Sequence, residues 1–88
     1  MSTPVPCPAA QRIQTLIDGA RHSATSNGRS FDEVEVYVHA LVRCGLGQAE
    51  ARQLATDPAN DPVGRILHYA GSSHNFAILA VEEALAAA

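Results

Sequence analysis

The sequence predicts an all-α fold, a small compact bundle of four to five short helices. Apolar residues recur at helical spacing in segment after segment. The segments are separated by Asn-Gly, Asp-Pro and single Gly breaks. Sixteen of the 88 residues are Ala, which loses no side-chain entropy in a helix. Apolar residues make up 47% of the chain, with two Phe, two Tyr and no Trp, so the core is expected from Ala, Val, Leu and Ile. The length suits one domain near the lower end of what folds alone.

Residues 1–7, with two Pro and no periodic pattern, are expected to form a mobile leader, and residues 8–88 a single helical domain. Pro8 suits a first helical turn. Ile13, Leu16, Ile17 and Ala20 then form an i, i+3, i+4, i+7 stripe, which predicts a first helix over about 8–23. Ser23–Ser30 is expected as a loop turning at Asn27-Gly28.

Ser30-Phe31-Asp32-Glu33 has the S-x-x-E spacing of a capping box and predicts a second helix over about 31–44. Val34, Tyr37, Val38, Leu41 and Val42 supply its apolar stripe. Gly45 takes the position after its end, with Leu46 beside it for the accompanying hydrophobic contact. The run Glu33–His39 also alternates at period 2 and is β-branched, which suits a strand. No second strand-like run exists to pair with it, and the cap and the Gly favour helix.

A short third helix is expected over 48–56, with Ala51, Leu54 and Ala55 inward, ended by Asp57-Pro58. Asp61-Pro62 reads as an N-cap followed by a first-turn Pro. Val63, Ile66, Leu67 and Ala70 form the next stripe, closed by Gly71. Ser72 or Ser73 is expected to cap a fifth helix running to about Ala87. The start of that helix, Phe76–Val81, is apolar on every side and must be covered by the core or by a partner.

The net charge is −3, and all six basic residues are Arg, scattered along the chain. Nucleic-acid binding draws most of its affinity from a concentrated basic face, so no direct nucleic-acid contact is expected. A helix-turn-helix over about 31–44 and 48–56 is the alternative reading. It suffers from the bulky Leu41 four positions before the turn Gly, and from a reading helix that carries only Gln48, Glu50, Arg52 and Gln53.

Cys7 and Cys44 are too few for a disulfide scaffold and are expected to be free thiols in a reducing, cytoplasmic setting. Residues 1–8 lack the basic and apolar regions of a secretion signal, so none is expected, and no apolar run approaches the length that spans a bilayer. His39 and Cys44, five apart, point to different faces, and His22, His68 and His74 show no ligand spacing, so no metal or cofactor is expected. The segment His68–Asn75 concentrates polar side chains. Ser72–Asn75 is its candidate hydrolase or anion-binding site, but no orienting acid is identifiable.

With no catalytic set to build on, the sequence points to a non-enzymatic interaction module, a regulator, inhibitor or adaptor. It would bind another protein through acidic residues, Asp32, Glu33 and Glu35 at the head of the second helix and Asp57 and Asp61 flanking the loop before the fourth, and a partner with a basic surface is expected if these lie on one side. Arg65, Tyr69 and Phe76 are the expected interface anchors, given the enrichment of Arg and aromatics at binding hot spots. Self-association through the fifth helix is the accompanying expectation.

Overall fold

The computed structural model describes residues 8–71 and 74–87. The expected leader at 1–7 and the Ser72/Ser73 cap lie outside them. Five α-helices follow one another: α1 (Pro8–Ser26), α2 (Glu33–Arg43), α3 (Gln48–Thr56), α4 (Pro62–Tyr69) and α5 (His74–Ala87), with a 3-10 turn at Pro58–Asn60 between α3 and α4. The architecture is all-α, and the alternating run 33–39 lies in α2. No helix among the described residues is long and apolar enough to cross a membrane.

The helices pack around α2. It touches α3, α4 and α5, while α5 also lies against α1 and α4. Ile13, Ile17, Val36, Leu41, Ile66 and Val81 are the largest fully buried side chains, one or more from every helix except α3, which contributes Ala51 and Ala55. The buried face of α5 is small, built from Ala77, Ala80, Val81 and Ala84. Small side chains let it approach two helices at once, which is how an aromatic-poor chain reaches close packing. No buried side-chain polar atom among the described residues lacks a partner.

Backbone chemistry sets the helix ends. α1 runs three residues past its expected end. Thr25 and Asn27 donate side-chain hydrogen bonds to the carbonyls four residues earlier, those of Arg21 and Ser23, so these polar residues prolong the helix. It stops at Gly28, whose φ of 71° permits the left-handed turn. Gly28 and Arg29 donate their N–H groups to Thr25 and Ala24. α2 closes the same way: Gly45, at φ 109°, donates to Val42 and Leu46 donates to Leu41. This pair of bonds is the Schellman closure.

The start of α2 departs from the capping box. Asp32, not Ser30, is the N-cap, with extended backbone and a carboxylate that accepts from the Glu35 N–H at 3.3 Å. Asp caps as well as Ser does, and this register puts Phe31 and Val36 on either side of the cap, both within the apolar cluster. That is the hydrophobic-staple spacing. Starting the helix at Ser30 would place Phe31 on the first turn and lose it. Glu33, freed from the box, accepts instead from Arg21 and from the Tyr37 hydroxyl. Burial and the adjacent Glu33 carboxylate push the Tyr37 hydroxyl above its ordinary range, keeping it protonated as a donor.

α4 begins as the Asp61-Pro62 pair predicts, but with Asp61 at φ 50°, the one non-Gly residue with positive φ among those described. Its carboxylate caps Gly64 N–H at 3.3 Å, and a Cβ on Gly64 would fall on that carboxylate. The glycine at 64 is the space into which the cap folds.

Two outcomes follow. In urea denaturation, Leu41→Ala should lower stability by about 2–5 kcal/mol, as for other fully buried leucines. Gly64→Ala should fail to deliver the gain of about 1 kcal/mol that helix propensity alone would give, because it displaces the cap. In an Asp61→Gly background, which relieves the positive φ and removes the carboxylate, the same substitution should become stabilising.

Candidate functional site: the outer stripe of α2

α2 is enclosed on most of its circumference. Val36, Tyr37, Val38, Ala40 and Leu41 are buried and Glu33, Val34 and Val42 half-buried. Of its eleven residues only Glu35, His39 and Arg43 are exposed. They stand four apart, so they form a single row along the outer face.

The two ends of the row are held sideways. Arg52 of α3 donates from Nη1 to Oε1 of Glu35 at 2.7 Å. Arg43 donates from Nε to Glu83 of α5 at 2.9 Å and lies over the Phe76 ring, 5.1 Å from its centroid. The hydrogen bond from Arg52 holds the Glu35 carboxyl below its usual range. Both pairs are exposed, so solvent screening keeps their contribution to stability small. They orient the groups. His39 sits between them and takes no side-chain hydrogen bond from the described residues.

Beside this row lies a groove of about 370 Å³, walled by α2, by Gln48 at the start of α3, and by Ala84 and Ala87 near the end of α5, with Val42 on its apolar side. A second depression, of about 400 Å³, lies across Glu35 and includes Arg29, Phe31, Asp32 and Leu85. Glu35 lines both.

The expected contact residues are largely occupied within the fold. Asp32 and Asp61 cap α2 and α4, and Asp57 caps the 3-10 turn through the N–H of Ala59 at 3.0 Å. Glu33 and Glu35 are paired with Arg21 and Arg52. Arg65 donates to the carbonyl of Asn60 at 3.2 Å. Phe76, expected outside, is half-buried beneath Arg43. Tyr69 is exposed at 37%, its ring edge-on to His68. On α5 Leu79, at 47%, is the one large apolar side chain left exposed, and Asn75, Glu82 and Ala86 surround it on that face. A lone exposed Leu is ordinary surface, so most of the apolar start of α5 is covered by the domain's own core.

The helix-turn-helix elements are adjacent, α2 and α3 joined through the Gly45 closure. The outward residues of α3 are Gln48, Ala49, Glu50, Arg52, Gln53 and Thr56, and the one base among them is turned toward Glu35. No group of three or more His, Cys, Asp or Glu able to hold a metal occurs among the described residues. His74 and Asn75 are exposed, and the rest of the Ser72–Asn75 site lies outside the described residues. No protein-family model, curated protein or solved structure matches this chain.

The sequence reading missed the row itself. Its signal was the spacing of Glu35, His39 and Arg43, the polar interruptions of an otherwise apolar segment, but in the capping-box reading Glu35 counted only as one of three acids.

Cys44 ends α2 half-buried, its thiol 3.9 Å from the carbonyl of Ile66. Burial pushes the thiol above its ordinary pKa, against the nearby charge of Arg43. In a Cys7→Ser background, a thiol-reactive dye at pH 8 should label the folded protein at least about tenfold more slowly than the urea-unfolded chain, because only the thiolate reacts.

Proposed function

We propose that this domain is a non-enzymatic interaction module, a small regulator or adaptor that works by contact with another polypeptide surface, and that the outer row of α2 with its groove is the contact face. The observation that supports this most is the singular exposure of Glu35, His39 and Arg43 on the helix against which α3, α4 and α5 pack. A side chain there is backed by a rigid, fully packed element, and rigid backing lowers the entropic cost of binding. The groove adds an apolar recess next to polar groups already oriented by Arg52 and Glu83, a combination that suits recognition. The acidic version of the reading narrows accordingly: five of its carboxylates serve as caps or ion-pair partners, so the face is mixed in charge.

The test is site-specific photo-crosslinking in the native host. A photoreactive residue in place of His39 should give one defined product. The same residue in place of Gln11, exposed on α1, should not. No defined product from position 39, or the same product from both positions, would remove the reading.

A further inference from the structure

The charge order along the α2 row identifies its partner. Read along the helix, the exposed groups are an acid, an imidazole and a base at equal spacing, with about 12 Å of helix rise between the acid and the base. Such a row is complementary to itself when reversed. We infer that the partner of this face is a second copy of the same chain, related by a two-fold axis through His39, with Glu35 of each copy meeting Arg43 of the other. This rests on the contact face proposed above and names what occupies it.

The reversed arrangement follows from Coulomb's law. A parallel pairing would set Glu35 against Glu35 and Arg43 against Arg43, two repulsions, whereas the antiparallel one makes two attractions. It is also the closed, isologous arrangement that self-complementary patches form. The atoms needed are available. Arg52 engages one carboxylate oxygen of Glu35, Oε1, which leaves Oε2 able to accept. Glu83 engages Nε of Arg43, which leaves the two terminal guanidinium nitrogens able to donate. Each intrachain pair therefore becomes half of a four-membered network, Arg52–Glu35–Arg43–Glu83, in which the middle contact crosses between copies.

The faces also fit sterically. Ala84 and Ala87 form the α5 wall of the groove, and their short side chains let the opposing helix come close. His39 of one copy then reaches the groove beside Val42 of the other. A standard interface buries about 800 Å² per partner, roughly one-seventh of the 5539 Å² this chain exposes.

The experiment is sedimentation equilibrium of the full chain with charge-reversed variants. Wild type should dimerise. Glu35→Arg and Arg43→Glu should each weaken the dimer at least about tenfold, since each homodimer gains two like-charge contacts. An equimolar mixture of the two should recover a heterodimer, because both crossings become Arg–Glu again. Circular dichroism monitors the fold of each variant. Should either unfold, His39→Glu, which alters only an exposed position and sets two carboxylates at the axis, should weaken the dimer likewise. A wild-type chain that stays monomeric at about 1 mM, single variants that dimerise as well as wild type, or a mixture that fails to recover would overturn the inference. A monomer whose position-39 crosslink carries a different protein would overturn the self-pairing alone. Loss of any crosslink from position 39 would overturn the contact face itself.

Discussion

The enclosure of α2 is the constraint on which the rest of the structure depends. A chain of 88 residues buries a smaller fraction of its surface than larger domains do, and it has almost no aromatic bulk to spend. Its solution is one helix covered on most of its circumference, with α3, α4 and α5 packed against it and α5 resting in turn on α1. Val36, Ala40 and Leu41 are essentially inaccessible to water. The exposed side chains of α2 are consequently confined to one row, and its two charged ends reach sideways to α3 and α5.

The ion pairs follow from that geometry. Arg21 reaches Glu33, Arg52 reaches Glu35, and Arg43 reaches Glu83. The acids stand at the N-terminal end of α2 and the base at its C-terminal end, so each pair also agrees with the helix dipole. Individually such exposed pairs add little stability. Their effect is on orientation: they set the heading of two charged groups around His39 and leave hydrogen-bonding capacity on both. An Arg-only basic complement suits this role, because a guanidinium can hold one carboxylate and still present donors to another.

Much of the architecture was legible in the residues, because several helix ends are dictated by local backbone chemistry. Gly28 and Gly45 have positive φ where the Asn-Gly pair and the Gly-Leu pair announced turns. Asp57-Pro58 and Asp61-Pro62 bound the 3-10 turn from either side, and the span of α3 matches the reading of 48–56. The start of α2 was misread because two caps competed within three residues. Ser30 had the better local motif, but Asp32 keeps Phe31 in the apolar cluster, and that burial outweighs a reciprocal side-chain bond. The end of α1 was misread because Ser, Thr and Asn were taken as loop formers, whereas Thr25 and Asn27 bond back along the helix. The same local reasoning assigned the acidic residues to a partner. It had no means of knowing that Arg21 and Arg52, distant in sequence, would meet two of them.

The sequence by itself determined the helical class and most of the helix breaks, since periodicity, Gly and Pro act within a few residues of themselves, and it left the number of helices at four to five. Which helix would be surrounded, which acids would be consumed by caps and arginines, and which three side chains would remain outside on α2 were decided only by the tertiary structure. Those outcomes depend on contacts such as Arg43 with Glu83, forty positions apart, and the ends of such a contact carry no local mark of each other.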